Sequence, residues 1–244
     1  MLELRRIWKR LKFRHLYTLL FVSALLGNTT KAQESLYSLG VTGSYTNSSR
    51  LYNKPDASDE ISRNQYLSLD GIFGVGFDVR RTFSESRIEI GLAVEYLRKI
   101  ENFSSRYGAL SIPSQTGYWT LPIELSGYFI IPFSTVDLRL YIGGGAGVYI
   151  GQRTYSIAGQ SAETISSKPG FGIHVVTGME YNILPWFGIR SEVKFRDLQF
   201  ESTHQFTSPS VVYQGVTVPL SQAPARSRVN VDGMLLDAGI VVRF

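Results

Sequence analysis

The chain contains no cysteine and only three histidines among its 244 residues. The absence of thiols excludes disulfides, zinc–thiolate sites and cysteine nucleophiles. One histidine lies in an amino-terminal leader described below, which leaves His174 and His204 for acid–base or metal chemistry. Clusters of metal-ligating residues are lacking as well. The sequence therefore predicts no metal site and no cofactor.

The chain also lacks an apolar run of the roughly 20 residues that a membrane-spanning helix needs. A shorter run, Leu16–Leu26, follows the basic segment Arg5–Arg14 and precedes the small-residue site Thr30–Ala32. A basic segment, a short apolar core and a small-x-small cleavage site make a secretory signal peptide. We expect cleavage after residues 1–32, with a single mature domain over residues 33–244.

The excess of positive charge belongs to this leader. Seven of the 25 Lys and Arg residues and one of the 20 acidic residues lie in residues 1–32, so the predicted mature chain has a net charge of −1. The basic pI of the whole sequence, about 9.4, is therefore no argument for nucleic-acid binding, and no nucleic-acid partner is expected. The length that remains fits one all-β domain.

The carboxyl-terminal segment, Met234–Phe244, alternates apolar and mixed polar residues. Alternate residues of a β-strand point to opposite faces, so this segment predicts a strand with one apolar face. Gly239, Val242 and the terminal Phe244 resemble the assembly signal of bacterial outer-membrane β-barrels, which the barrel-assembly machinery recognises. The alternative is the last strand of a soluble sheet that ends on phenylalanine.

The same alternation recurs along the chain, whereas helical periodicity is almost absent. It defines eight candidate strands, an even number as bacterial outer-membrane barrels require. We predict an all-β fold, an eight-stranded antiparallel up-and-down transmembrane β-barrel that follows a cleaved signal peptide. The candidate strands are residues 37–45, 69–80, 87–96, 118–129, 138–150, 171–181, 187–196 and 234–244.

The connections alternate in length. Those after the second, fourth and sixth strands are short, whereas those after the first, third, fifth and seventh are long and polar. Short turns at one end and long loops at the other are typical of an outer-membrane barrel. In the fourth long loop, the apolar residues of Pro209–Pro219 predict a hairpin above the membrane.

The polar faces of the strands predict what fills the lumen. Charges of both signs occur there in near-equal numbers, which favours a paired ionic plug, because unpaired charges in a confined interior are costly. A pathway for protons or a substrate is the alternative; a wide pore needs about 16 strands or more. The expected acidic members are Asp70, Asp78, Glu89, Glu95, Glu124, Glu180, Glu192 and Asp237, and the others are Arg80, Arg87, Arg139, His174, Arg190, Lys194, Arg196 and Arg243.

Catalytic patterns are weak, and the sequence predicts no enzyme. His204 lies near Glu201, Ser202 and Ser208 in the fourth loop, and a rim hydrolase would need such a cluster. The alternative is that His204 is a polar residue of a surface loop with no catalytic role. The glycine-rich run Gly143–Gly147 lies within a strand and precedes no helix, so it lacks the context of a phosphate loop.

One pair of strands carries a family resemblance. Tyr118–Leu125, with Pro122 in its interior, and the strand Leu140–Gly145 are similar to the porin-family outer membrane protein β-barrel domain, which includes OmpA/OmpX-like and PorT-like barrels. The resemblance implies an eight-stranded barrel in the outer membrane of a Gram-negative bacterium and supplies no catalytic residues. Its PorT-like members imply a possible role in type IX secretion.

These observations give one leading functional hypothesis. It is a non-enzymatic barrel in outer-membrane lipid with a charge-filled lumen, whose long extracellular loops serve surface binding, adhesion to a partner or structural anchoring. An accessory factor of a type IX-like secretion system is the main alternative, followed by a small-solute channel and a rim enzyme.

Overall fold

A computed structural model describes residues 36–83, 86–135 and 137–244. The predicted signal peptide lies outside the described residues. One short helix, α1 (Glu60–Asn64), is capped by Asp59, whose carboxylate accepts a hydrogen bond from the Ser62 amide at 2.9 Å. The strands are β1 (Tyr37–Tyr52), β2 (Tyr66–Phe83), β3 (Ile88–Tyr107), β4 (Leu110–Ile130), β5 (Leu138–Ile157), β6 (Gln160–Ser161), β7 (Glu163–Lys168), β8 (Gly170–Leu184), β9 (Phe187–Arg196), β10 (Leu198–Gln205), β11 (Ser210–Tyr213), β12 (Val216–Pro219), β13 (Ala225–Val231) and β14 (Met234–Arg243).

Within the described residues, no helix has the length and apolar character needed to cross a membrane.

Eight of these strands form a closed antiparallel ring. Its order is β14, β9, β8, β5, β4, β3, β2 and β1, and β1 pairs back with β14. The closing register runs from Ser38 opposite Arg243 to Thr46 opposite Leu235. Beyond it, the Tyr37 and Phe244 backbones exchange hydrogen bonds at 3.1 and 3.0 Å. The predicted fold and the closing role of the terminal strand are confirmed.

The ring is apolar outside and polar inside, the reverse of a soluble barrel. Outward-facing Val41, Phe171 and Ile173 are 54, 80 and 71% exposed. The strands are long enough to cross a bilayer, since a spanning strand needs about 9–11 residues. Aromatic side chains flank the apolar band at both ends, as expected at the two membrane interfaces. Tyr37 stacks on Phe244 at one end, and Tyr96 stacks on Trp119 at the other.

The two ends of the ring differ. One end, the turn end, has short connections such as the link between β8 and β9. At the other end the strands continue past the aromatic band and form a structure that we call the head, residues 47–72, 97–118, 151–169 and 198–233. The long connections predicted as loops are therefore mostly β-structure. The clearest case is the β3–β4 hairpin, whose ladder reaches Tyr107 opposite Leu110.

The sheet of the head continues that of the ring. Beyond the ring, β1 pairs with β13, β13 with β10, and β10 with β7. The predicted Pro209–Pro219 hairpin is present: β11 pairs with β12, with Ser210 opposite Pro219 and Tyr213 opposite Val216.

Pro122 lies within β4, a strand that has a partner on each side. Its side chain is buried, and it pairs with Tyr149 of β5. Towards β3, the ladder is interrupted between Val94–Ile123 and Leu97–Thr120. Proline lacks the amide hydrogen that a ladder needs, which accounts for an interruption at this point.

Candidate functional site

The lumen near the turn end holds a cluster of charges centred on Arg80. Its guanidinium donates hydrogen bonds to Asp78 Oδ1 at 2.7 Å and to Glu192 Oε1 at 2.6 Å, and lies 3.6 Å from Glu89 Oε1. The Tyr141 hydroxyl donates to the same Glu192 oxygen at 2.5 Å. One cation thus serves three carboxylates on three strands.

The same guanidinium lies between two aromatic rings. Its central carbon is 4.1 Å from the Tyr128 ring centroid and 5.5 Å from that of Tyr141. Guanidinium groups stack favourably on aromatic faces, most strongly where water is excluded. Arg80 is 2% exposed, so this part of the lumen is filled.

Arg190 extends this cluster across the lumen. It donates to Asp78 at 2.6 Å and to Glu180 at 3.0 Å. Glu180 is also paired with Arg243 of the terminal strand, and Arg139 lies 3.1 Å from Glu89. These residues form the turn-side cluster: Asp78, Arg80, Glu89, Arg139, Glu180, Arg190, Glu192 and Arg243.

A second group of charges, the head-side cluster, lies further up the lumen. Lys194 Nζ donates to Glu124 at 2.9 Å and lies 3.9 Å from both Glu95 and Asp237. Arg196 pairs with Glu95 and lies 3.4 Å from Glu124. With His174, these residues complete a paired network that crosses the barrel between β3, β4, β8, β9 and β14.

His174 has neighbours like those of a hydrolase triad. The Ser126 hydroxyl lies 2.7 Å from His174 Nε2, and His174 Nδ1 lies 4.0 Å from Glu124 Oε1. A triad needs the second contact to be a hydrogen bond and the serine to reach a substrate. Here the second distance is too long, and all three side chains are buried. The geometry indicates a packed interior.

Above the charges, an apolar cluster fills the part of the lumen that leads into the head. Phe200 packs edge-on against Tyr118, with ring centroids 5.9 Å apart, and occupies the space over Gly151, where a Cβ would lie 2.6 Å from the ring. This cluster, the apolar cap, was not predicted. It consists of Leu51, Leu69, Ile72, Leu97, Tyr118, Tyr149, Leu198, Phe200, Val229 and Val231.

Two of the sixteen predicted lumen residues lie elsewhere. Asp70 is exposed on the outside of the head, where Ser68 donates to it at 2.9 Å. With Asp70 in the lumen, alternation would turn its neighbour Leu69 outward, but Leu69 points inward into the cap. Gly71 has a φ of 65°, and two residues instead of one separate the inward-facing Leu69 and Ile72. The inward side of β2 therefore shifts by one residue at this point.

Arg87 is the second correction. It is exposed in the turn before β3 and has a φ of 56°. The alternating pattern was extended one residue beyond the strand, into a turn whose backbone conformation does not continue the pleat. The other fourteen predicted residues all face the lumen.

The candidate rim-enzyme cluster is not assembled. His204 is buried on the inner face of β10 with Ser202, whereas Glu201 lies on the other face and binds Arg226. The Ser202 hydroxyl accepts a hydrogen bond from the Arg153 amide at 3.1 Å. His204 packs against the Tyr155 ring at 5.8 Å. In the described residues, no group of three His, Asp or Glu side chains has a geometry that could hold a metal ion.

Acid is expected to loosen the head before the rest of the barrel. Burial and the neighbouring Arg153 guanidinium lower the pKa of His204 to about 4, whereas a histidine in an unfolded chain has a pKa of about 6.5. The folded head therefore excludes a proton that the opened head binds. Its stability is complete above pH 6.5 and declines as the pH falls towards 4.

Hydrogen exchange of backbone amides at pH 7 and pH 5 measures this effect, after correction for the intrinsic exchange rates. Amides of β10 and β13 should lose protection at pH 5 relative to those of β9 and β14. The His204→Gln variant keeps a polar side chain and cannot titrate, so the difference between the two pH values should shrink. An unchanged pH dependence in this variant would rule out His204 as its source.

A closed ring with an apolar exterior, two aromatic bands and a paired ionic interior defines a transmembrane β-barrel of the outer-membrane class. No protein-family model matches the chain, and no curated protein matches it. Among solved structures, the chain is similar to the outer membrane protein OprG from Pseudomonas aeruginosa, with a TM-score of 0.60 and 14% identity over 87% of this chain and 97% of that one. At this identity the likeness concerns the fold.

Two further solved structures align over most of their length at lower scores. Neisserial surface protein A has a TM-score of 0.45 and 15% identity, with 85% of this chain and 97% of that one covered. The attachment invasion locus protein Ail of Yersinia pestis has a TM-score of 0.42 and 16% identity, with 87% and 100% covered.

Proposed function

We propose that this chain is a non-enzymatic, non-conducting barrel of the outer membrane of a Gram-negative bacterium, and that its head binds a partner at the cell surface. The observation that carries the proposal is the double obstruction of the lumen, by the two charge clusters and by the apolar cap above them. Eight strands leave room only for packed side chains. Because the lumen is blocked, the head is the part of the protein that remains for binding a partner.

The head has features of a binding surface. Within the described ranges, the β11–β12 hairpin pairs with no other strand, and Val212 in it is 68% exposed. A separate groove of about 450 Å³ lies on the β3–β4–β5 side. Its lining carries no charged side chain and combines asparagine, glutamine and serine residues with Phe103 and Pro113. Asn102 and Gln115 are joined there at 2.9 Å. Amide and hydroxyl groups beside one aromatic ring suit a polar, uncharged ligand.

Sequence features support three further parts of the proposal: the family, recognition during assembly, and export. The Tyr118–Leu125 and Leu140–Gly145 strands support membership of the porin-family barrel domain, and a PorT-like role in type IX secretion would be favoured if a deletion strain failed to export its cargo. Gly239, Val242 and Phe244 support recognition by the barrel-assembly machinery. The signal peptide over residues 1–32 and the mature domain over 33–244 belong to the same proposal.

Surface labelling tests the orientation of the barrel. The chain has no cysteine, so Val212→Cys in the head hairpin and Thr135→Cys in a short turn each introduce a unique thiol. In outer-membrane barrels the short turns face the periplasm. A membrane-impermeant maleimide on intact cells should label the Val212→Cys variant and leave the Thr135→Cys variant unlabelled until the outer membrane is permeabilised. The reverse pattern would refute an exposed head.

Planar-bilayer recording tests the sealed lumen. The purified barrel should give no steady conductance, because both the paired charges and the apolar cap block the path. The Phe200→Ala variant removes a side chain of the cap but leaves the charge clusters below it intact. This variant should therefore also show no conductance. A steady ohmic conductance in the unmodified protein would overturn the proposal in favour of a small-solute channel.

A further inference from the structure

Arg153 is a half-buried cation in the head that has no acidic partner. It points inward from β5, and no carboxylate forms an ion pair with it among the residues that the structure describes. Its Nε atom is buried and makes no hydrogen bond with any residue in the described part of the chain. By contrast, the inward-facing charges of the ring are paired. A buried charge without compensation is costly, so this exception calls for a ligand.

The surroundings of Arg153 are built from hydrogen-bonding groups of three strands. Its Nη2 atom lies 3.4 Å from the Thr116 hydroxyl of β4, and its guanidinium carbon lies 4.8 Å from the Tyr155 ring centroid. On the opposite side, β10 contributes His204, whose Nδ1 atom is buried and also lacks a hydrogen-bond partner. Two unsatisfied nitrogen atoms thus lie around the same ring, that of Tyr155.

The acidic side chains of the neighbouring strands do not pair with Arg153. Glu163 of β7 is exposed and lies opposite Gln205, on the other face from His204. Glu101 of β3, which pairs with Thr116 in the ladder, lies 3.4 Å from Lys99. Glu201 lies on the outer face of β10 and binds Arg226. The inner face of the head therefore presents a guanidinium, an imidazole and a hydroxyl, and the carboxylate beside that hydroxyl, Glu101, is paired with Lys99.

We propose that Arg153, Thr116 and His204 form a binding site for a small oxyanion group, a phosphate, sulfate or carboxylate of a soluble ligand. The planar guanidinium offers the paired donors that such groups accept. The ring of Tyr155 supports it from one side, and the neutral imidazole can donate one hydrogen bond. Because Arg153 faces the interior of the head, headgroups of the surrounding lipids lie on the wrong side of the strand.

The burial of the Arg153 side chain also supports an anion site. With no carboxylate beside it, burial lowers the pKa of Arg153 to about 10, and a bound anion would reverse that shift. The proposal deepens the proposed function by naming a ligand class for the head, but its test needs only purified protein. A negative result would therefore leave the surface orientation and the sealed lumen unaffected.

Calorimetric titration of the folded, full-length barrel in neutral detergent tests the site. Inorganic phosphate, sulfate and acetate are titrated separately at constant ionic strength. At least one should bind with one-to-one saturation, and Arg153→Gln should weaken that binding at least tenfold. Arg106→Gln removes an exposed arginine from the same head and should bind as the unmodified protein does.

Two further measurements keep the outcome clear. The heat-dependent electrophoretic shift confirms that each variant is folded. The Arg153→Lys variant retains the positive charge but loses the paired donors of the guanidinium, so it should bind with intermediate affinity. Vesicles that contain phosphatidylglycerol should not compete with the soluble anion. Absence of saturable binding, binding retained by Arg153→Gln, or competition by the vesicles would overturn the proposal.

Discussion

Replacing Arg80 with methionine is expected to destabilise the barrel by about 3–5 kcal/mol, the range for breaking a buried ion pair from one side. Arg80 contacts Asp78, Glu89 and Glu192. Asp78 would keep Arg190, and Glu89 would keep Arg139. Glu192 would keep the Tyr141 hydroxyl, with Arg190 and Lys194 nearby. It would lose its one direct ion pair among the described residues, so a buried carboxylate would remain only partly compensated.

Urea unfolding in lipid vesicles, followed by tryptophan fluorescence, measures this loss. The next residue supplies a matched control: Arg81 is exposed on the outer side of β2, and Arg81→Met should change stability by less than about 1 kcal/mol. The double variant Arg80→Met with Glu192→Gln removes the orphaned charge and should regain part of the stability. Equal effects of Arg80→Met and Arg81→Met would contradict a structural role for the lumen network.

The second large effect is expected from Gly145→Ala. A methyl group at this position would overlap the Leu125 carbonyl oxygen and lie 2.9 Å from Ser126 Cα, and both are backbone atoms that cannot rotate away. Strands β4 and β5 would have to separate at the point where Ser126 reaches His174. We expect a loss of about 3 kcal/mol, at the upper end of the usual cost of overpacking.

Gly127 provides the control for this substitution. It lies on the adjacent strand, one residue from the partner of Gly145, and faces the exterior, where an added methyl group would meet nothing within 4 Å. Gly127→Ala should leave the stability unchanged or raise it slightly, because alanine restricts the unfolded chain. The two variants are compared by urea unfolding under identical conditions. A loss as large for Gly127→Ala would show that glycine is needed in these strands for reasons other than space.

The number of strands in the ring and the facing of most of their residues could be predicted from sequence. Alternation with period two is a local property, and in a barrel that spans a membrane the outer face must be apolar at every level of the bilayer. This is why fourteen of these residues, from Asp78 to Arg243, are on the inner face of the ring. The closing strand could also be predicted, because an unpaired sheet edge cannot be left in lipid.

Departures occur where the pleat is interrupted. Gly71 changes the facing of β2, so that Leu69 turns inward and Asp70 outward. A glycine in a strand pattern indicates a bulge, but many glycines in this chain lie in regular strands, and the pattern alone does not distinguish them. Arg87 was misplaced because its turn begins one residue closer to the strand than the alternation suggests.

The head is the largest part of the structure that was not predicted from sequence. Leu198, Phe200, Val229 and Val231 alternate with polar residues in the same way as lipid-facing side chains do. Alternation identifies an apolar face but not the medium that it meets. Above the membrane the outer face meets water, so the apolar residues turn inward and form the cap.

By itself, the sequence determined the antiparallel barrel and the charged lumen, and it predicts the export signal, because each depends on local composition or on a period of two. Only the tertiary structure decided which charges meet, how the cap seals the lumen, and that Arg153 has no acidic partner among the described residues. These depend on side chains brought together from strands distant in sequence, such as Arg80 with Glu192 and Thr116 with Arg153. Their distances are set by strand register and by the closure of the ring, which no local pattern contains.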